Sequence, residues 1–358
     1  MDRDFKVNNF DLLRLFAATE VLLLHSFNHL GIKFPLWFSI INNFPGVPMF
    51  FTMSGFLISA SLERNNNLKI YFKNRVLRIY PALWACIVLS IIVIVVVGKI
   101  NFINAQSLPW FLGQLVGVIY TPAFLQDFGF GSYNGSLWTI PIELQFYICL
   151  PIGYFIIKKL AKTESKQTLI IVLLFLMFFL LTYSLKVIYG IGDIPGVEPR
   201  NIKILRYTFI PNIYPFLLGV LLQRYKVYTF DWIYGKGLVW LIGYLLICYI
   251  MPQTNTLDMF RFIVLSFTTI SMAYTAPAIA NRFLKGNDIS YGVYIYHGLI
   301  LGVIVELNLL HNPFYILVIL VLSIILASLS WTFLEKPILR RKKKFNKLTV
   351  ANTIDSNK

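Results

Sequence analysis

Long apolar runs recur along the whole chain and are separated by short polar loops. A membrane-spanning helix needs about 20 mostly apolar residues, and the core of a water-soluble domain does not need so many runs of that length. The pattern therefore predicts an all-α integral membrane protein with about ten transmembrane helices. The predicted spans are 10–30, 44–62, 80–98, 138–157, 168–189, 205–222, 236–252, 257–277, 289–309 and 313–334.

Basic residues between the runs assign the sides of the membrane. Lys and Arg are enriched in cytoplasmic loops, and they cluster at 64–78, 158–166 and 282–285. These positions place both termini in the cytoplasm and the stretch 99–137 outside. Within that stretch, 108–125 is apolar but is interrupted by Pro and Gly. We therefore predict that it is a re-entrant or interfacial segment rather than a span.

The composition agrees with a membrane protein. Of 358 residues, 57% are hydrophobic and 13% are charged, whereas a soluble domain has about 25% charged residues. The net charge of +16 follows the loops and the basic C-terminal end, so it predicts a lipid bilayer and no nucleic acid as the partner. We predict a membrane domain at 1–338 and a basic cytoplasmic tail at 339–358. The three cysteines and four histidines lack disulfide or metal-ligand spacing, which predicts no metal.

The first predicted span contains Arg14, Glu20 and His25. Ionisable side chains inside a membrane are costly and are therefore candidates for function. Arg14 and His25 are eleven residues apart, which places them on one helix face about 16 Å apart along the axis. A cation near the cytoplasm suits an anionic donor, and a deeper imidazole suits proton transfer. The alternative is a snorkelling Arg14 and a hydrogen-bonded core His25, and the spacing alone does not decide between them.

Six features follow one another along the chain in a characteristic order. The features are Arg14 with His25, GVPMFFTMSGFLI at 46–58, RVLRIYP at 75–81, GSLWTIPIE at 135–143, ISYGVYIYH at 289–297 and SWTFLEKP at 330–337. In this order and spacing the set resembles the acyltransferase 3 family of membrane O-acyltransferases, over residues 10–337.

The resemblance implies an enzyme of the bacterial plasma membrane that acetylates a cell-envelope carbohydrate from cytoplasmic acetyl-CoA. The acceptor would be a capsule, exopolysaccharide, O-antigen or lipid-linked precursor. The family's essential Arg and His correspond to Arg14 and His25. Its basic loop corresponds to Arg75 and Arg78, which would hold the donor's phosphates. Guanidinium groups match phosphate oxygens well, although membrane topology alone would also explain these two residues.

Three further positions have open roles. Glu143 lies about five residues into a span that begins outside, where it could orient an imidazole, bind an acceptor hydroxyl or serve as a structural partner. His297 fits a core, donor-site or catalytic role equally. Ser54 and Gly55 favour close helix packing, and no Ser–His–acid order supports Ser54 as a nucleophile.

The predicted mechanism uses His25 as the general base, Arg14, Arg75 and Arg78 to bind CoA, and Glu143 to support the outer site. Transient acetylation of His25 is a variant of this mechanism. Two other classes are a lipid-linked sugar flippase or polysaccharide polymerase, and a secondary transporter. The first predicts large outer loops or many intramembrane charges, and the second predicts broken helices in two related halves. The chain has few of the former features, and no internal symmetry is evident.

Overall fold

The computed structural model describes residues 4–64, 67–191 and 204–340, and within these ranges the secondary structure is helical, without strands. The predicted all-α class is therefore confirmed. The helices are α1 Phe10–His29, α2 Leu36–Ile41, α3 Gly46–Arg64, α4 Leu68–Val97, α5 Ser107–Val116, α6 Thr139–Leu160, α7 Glu164–Tyr189, α8 Ile213–Arg224, α9 Gly237–Ile250, α10 Leu257–Ala273, α11 Ile279–Leu284, α12 Ser290–Glu306 and α13 Phe314–Ser330, the last followed by a π-helical turn at Trp331–Glu335.

Several helical stretches are long and apolar enough to cross a membrane. Each predicted span contains a helix, but α8, α9, α10 and α12 have only 12, 14, 17 and 17 residues, and α1 carries Asp11, Arg14 and Glu20 within its 20 residues. The count of ten spans and the side of each terminus therefore stay predictions, and 341–358 of the predicted tail lie outside the described residues. The long apolar stretches are Leu36–Arg64, Leu68–Val97, Gly135–Leu160, Glu164–Tyr189 and Phe314–Arg340.

The basic segment before the third predicted span is not a loop as expected. Helix α4 begins at Leu68, twelve residues before the predicted start of the span, so Arg75 and Arg78 lie on the helix. The apolar run marks only the part of the helix that suits lipid. Polar residues extend the same helix at its first turns, where Asn67 caps it by accepting a hydrogen bond from the Ile70 N–H.

The segment predicted to be re-entrant or interfacial contains α5. Ten residues span about 15 Å, half of the hydrocarbon thickness. Leu108, Leu112 and Val116 are exposed at a spacing of four residues, while Trp110 and Gln114 are buried. One apolar exposed stripe on a short helix fits a position in the membrane interface.

The chain divides into two compact units. The first comprises the described residues of Met1–Val21, Pro35–Arg64 and Trp138–Gly286. The second comprises the described residues of Leu22–Phe34, Asn65–Leu137 and Asn287–Lys358. Helix α1 contributes residues to both.

Helices α3 and α8 of the first unit pack with their backbones in close contact. A Cβ atom on Gly55 would lie 2.0 Å from the Phe216 carbonyl oxygen, and one on Gly219 would lie 2.1 Å from the Thr52 carbonyl oxygen. Small residues allow such approaches between helices in a membrane. The expectation that Gly55 serves close helix packing is therefore confirmed.

Glu20 caps another helix of the first unit. Its carboxylate accepts a hydrogen bond of 2.8 Å from the Gly46 N–H at the start of α3, and the residue is 1% exposed. The first N–H groups of a helix have no partner within the helix, and the side-chain oxygen of Glu20 supplies one. Of the ionisable residues in the first predicted span, Glu20 thus has a structural function.

Helix α12 is the buried centre of the second unit. Every residue from Gly292 to Gly302 is buried, and a Cβ atom on Gly292 would lie 2.7 Å from the Cα atom of Ala327 on α13. A helix that is apolar on all sides belongs in a protein interior. Side chains in the middle of α12 therefore contact protein rather than solvent.

We predict that Gly55→Ala lowers the free energy of unfolding by about 2 kcal/mol or more, because the added methyl group has to push two backbones apart. The control is Gly153→Ala on α6, where nothing lies within 4 Å of the added atom. This change should be neutral or stabilising by about 0.5–1 kcal/mol, because Ala is the better helix former. Thermal unfolding of the detergent-purified variants measures both. Equal stability of Gly55→Ala and wild type would contradict the packing described.

Candidate active site

Two histidines meet in the second unit. Nδ1 of His25 on α1 lies 3.1 Å from Nε2 of His297 on α12, and the ring centroids are 5.3 Å apart. His297 is 0% exposed, whereas His25 is only partly buried. The pair therefore has one fully buried member and one partly exposed member.

The second nitrogen of His297 faces its own helix. Nδ1 lies 3.2 Å from the carbonyl oxygen of Val293, one turn earlier on α12. A backbone carbonyl can only accept a hydrogen bond, so Nδ1 of His297 is the donor. This contact fixes the orientation of the ring inside the unit.

Two polar residues that precede α6 hold α12 in place next to His297 by hydrogen bonds. The Asn134 side-chain amide donates to the Ile295 carbonyl oxygen at 2.8 Å, and the Ser136 hydroxyl donates to the Asn134 side-chain oxygen at 2.6 Å. Both side chains are buried. Asn134 was not among the predicted site residues, and its only signal in the sequence is its position directly before the GSLW motif.

The end of α1 is held within the same unit. The backbone N–H of His311 donates to the Leu30 carbonyl oxygen at 2.9 Å. His29 is exposed and stacks on Phe130 with a centroid distance of 4.0 Å. The His25 and His29 rings are 6.1 Å apart. An aromatic surface therefore lies next to the accessible histidine.

A second polar group of the same unit surrounds Arg78. Its guanidinium donates to an Asp288 carboxylate oxygen at 2.5 Å, and the two side chains are 25% and 8% exposed. The other Asp288 oxygen accepts from the Ser290 hydroxyl. The RVLRIYP motif thus forms a largely buried ion pair with the residue directly before the ISYGVYIYH motif.

The motif at 330–337 reaches the same region. The Trp331 indole N–H and the Lys336 ammonium donate to the Asn287 side-chain oxygen at 3.0 and 2.8 Å. Glu335 is 1% exposed and accepts from the Ser330 hydroxyl at 3.2 Å. The π-helical turn at Trp331–Glu335 contains Glu335, and helical residues 336–340 follow it.

Arg75 lies one helical turn from Arg78 on α4. Its guanidinium carbon is 5.3 Å from the centre of the Tyr71 ring, a distance typical of a cation–π contact. The ring restricts the arginine side chain on the helix surface. The two candidate donor-binding arginines are therefore neighbours at i and i+3.

Arg14 and Glu143 belong to the first unit and have partners on their own helices. Arg14 forms an ion pair of 2.8 Å with Asp11, and its side chain is 24% exposed. Glu143 accepts a hydrogen bond from the Tyr147 hydroxyl one turn later on α6. The structure thus brings His25 to His297 and gives Arg14 and Glu143 local partners. Across 4–64, 67–191 and 204–340, no three His, Cys, Asp or Glu residues are arranged to hold a metal ion.

Comparison with known proteins gives the family. The family model described as "Acyltransferase domain" (Acyl_transf_3) matches residues 7–332. The chain belongs to this acyltransferase family. It is therefore a multi-pass membrane acyltransferase, which confirms the resemblance drawn from the motifs.

The curated relatives cover most of this acyltransferase. It is 30% identical to Nodulation protein 10 of Rhizobium leguminosarum bv. viciae, over 93% of both chains. It is 29% identical to the O-acetyl transferase of Shigella phage Sf6, over 94% of this chain and 97% of the relative. Identity to the O-acetyltransferase OatA of Staphylococcus aureus is 27%, over 94% of this chain and 57% of that protein. No solved structure matches the chain.

We predict that Asp288→Asn lowers the free energy of unfolding of this acyltransferase by about 2 kcal/mol, because a largely buried guanidinium loses its anionic partner. The partial exposure of Arg78 keeps the loss below that of a fully buried pair. Thermal unfolding measures the change, and Asp127→Asn, on an exposed position of the same unit, is the control. An unfolding temperature equal to that of the control would contradict a stabilising pair.

Proposed function

We propose that this acyltransferase moves an acetyl group from cytoplasmic acetyl-CoA to a hydroxyl of a cell-envelope carbohydrate, with His25 as the general base. The observation that carries the proposal is the partly exposed residue His25, whose imidazole is hydrogen-bonded to a fully buried histidine. A base needs a lone pair that the substrate can reach and a fixed ring. The names of two relatives, both O-acetyltransferases, support the acetyl group as the acyl group transferred.

The proposed reaction is balanced without a further reactant. His25 takes the hydroxyl proton as the acceptor oxygen forms its bond to the acetyl carbon. The carbon–sulfur bond then breaks, and the imidazolium returns the proton to the thiolate of CoA. A variant with a transient acetyl group on His25 uses the same nitrogen as a nucleophile.

The donor's phosphates are assigned to Arg75 and Arg78. Two guanidinium groups one turn apart on α4 match a diphosphate, because each presents forked N–H donors. The Asp288 carboxylate holds Arg78 in place, and the Tyr71 ring holds Arg75. Arg14 is proposed to contribute to donor binding, and Glu143 to support the acceptor on the outer side.

The acceptor is proposed to be a surface polysaccharide or its lipid-linked precursor in a bacterial plasma membrane. The stacked rings of His29 and Phe130 beside His25 offer an apolar face of the kind on which a sugar ring can rest. A lipid-linked sugar flippase, a polysaccharide polymerase and a secondary transporter would need neither a base nor bound CoA.

We predict that His25→Ala lowers acetyl incorporation into envelope carbohydrate by about 100-fold or more, because general-base catalysis is lost. Arg14→Ala should lower it by about tenfold through the loss of a charge-assisted donor. Cells that produce each variant at matched membrane levels are compared. Full acetylation by His25→Ala would remove His25 as the base. If the wild type adds no acetyl group to any carbohydrate, a lipid-linked sugar flippase becomes the preferred hypothesis.

We predict that CoA raises the unfolding temperature of the purified protein, since a ligand of the folded state stabilises it. Arg75→Ala should weaken CoA binding by about tenfold, which is the loss of affinity expected when one charge-assisted hydrogen bond is removed. The control is Lys69→Ala, which removes an exposed cation from the first turn of the same helix. Equal protection of Arg75→Ala and Lys69→Ala would contradict a donor site at Arg75, and no protection of the wild type would contradict CoA as the donor.

A further inference from the structure

The hydrogen bonds around the histidine pair determine which nitrogen carries each proton. Nδ1 of His297 lies 3.2 Å from the Val293 carbonyl oxygen, which can only accept, so this nitrogen bears the hydrogen. In a neutral imidazole the other nitrogen then holds the lone pair. Nε2 of His297 is therefore an acceptor, and it lies 3.1 Å from Nδ1 of His25.

The same reasoning continues to His25. Since Nε2 of His297 accepts, Nδ1 of His25 is the donor, and the lone pair of a neutral His25 is on Nε2. The opposite arrangement needs a second proton on His297. That would place a positive charge on a side chain that is 0% exposed, which desolvation strongly disfavours.

We infer that His297 is a positioning residue that holds His25 in the tautomer whose Nε2 is the reacting nitrogen. The inference rests on the proposed function, since it names the partner of the proposed base. His297 itself does not touch the substrate, because it is completely buried. It acts by accepting the Nδ1–H of His25, in the place where many catalytic histidines have a carboxylate.

The hydrogen bond gains strength during the reaction. When Nε2 of His25 takes the proton of the acceptor hydroxyl, the ring becomes a cation, and its Nδ1–H bond to His297 becomes charge-assisted. The bond weakens again when the proton passes to the thiolate of CoA. His297 therefore stabilises the imidazolium without carrying a net charge into the buried interior.

The hydrogen bonds that Asn134 and Ser136 form beside His297 support its function as a positioning residue. Asn134 and Ser136 fix the Ile295–Gly298 turn of α12, and a Cβ atom on Gly298 would lie 2.1 Å from the Asn134 side-chain oxygen. The ring of His297 thus starts from a fixed backbone, as a rigid support for a catalytic group requires.

The experiment compares His297→Gln with His297→Asn. The longer Gln amide can place its oxygen where Nε2 of His297 accepts, whereas the Asn amide reaches only the Val293 side. Inverted membrane vesicles from cells that make the protein supply the acceptor. Initial rates of thiol release from acetyl-CoA give kcat and KM, and the exposed His311→Gln in the same unit is the control.

We expect His297→Asn to lower kcat by about 100-fold with KM for acetyl-CoA within about twofold of wild type, as for loss of a transition-state interaction. His297→Gln should keep at least about a tenth of kcat, a rescue that depends on the acceptor atom. The control should match wild type.

Three results would overturn the inference: wild-type kcat in His297→Asn, equal losses in both variants, or failure of His297→Gln to give a cooperatively unfolding protein. The last would make His297 a folding residue. The wild type is first shown to release thiol faster than vesicles from cells that do not make the protein. Failure of the proposed function is thereby distinguished from failure of the His297 assignment.

Discussion

The scarcity of water in the bilayer core is the constraint on which this structure depends. Backbone N–H and C=O groups have to be paired within the protein, which explains why the described residues form helices. Polar side chains obey the same rule. Glu20 is buried with the Gly46 N–H, and Asp288 is buried with Arg78 and Ser290. Each of these polar residues is thus held by a partner from another part of the sequence.

Helix α12 shows how this constraint gives a buried polar residue a fixed hydrogen-bonding role. Because the helix is buried on all sides, an ionisable residue in its middle has no route to solvent of its own. His297 can meet its hydrogen-bonding needs only through its own backbone and through a neighbour that is partly exposed. A buried histidine therefore becomes a fixed acceptor for an accessible one.

The sequence predicted the positions of the helices better than it predicted which helices become neighbours. Apolar runs located helices such as α6 and α7 to within a few residues of their ends. They misplaced the start of α4, since the helix extends over basic residues that hydropathy assigns to a loop. His25 was found by its position in an apolar run, but its pairing with His297 was not. The two are 272 residues apart, and no local pattern encodes which helices become neighbours.

The second unit places its two polar groups along one rigid helix. Asp288 holds Arg78 and accepts from Ser290 at the start of α12, and His297 lies seven residues after Ser290, about 10 Å along the axis. In acetyl-CoA the phosphates and the thioester lie at opposite ends of an extended arm. Under the proposed function, a donor held by its phosphates at Arg78 has its reacting group displaced along the helix. A continuous helix that carries both Ser290 and His297 fixes that displacement more firmly than a loop would.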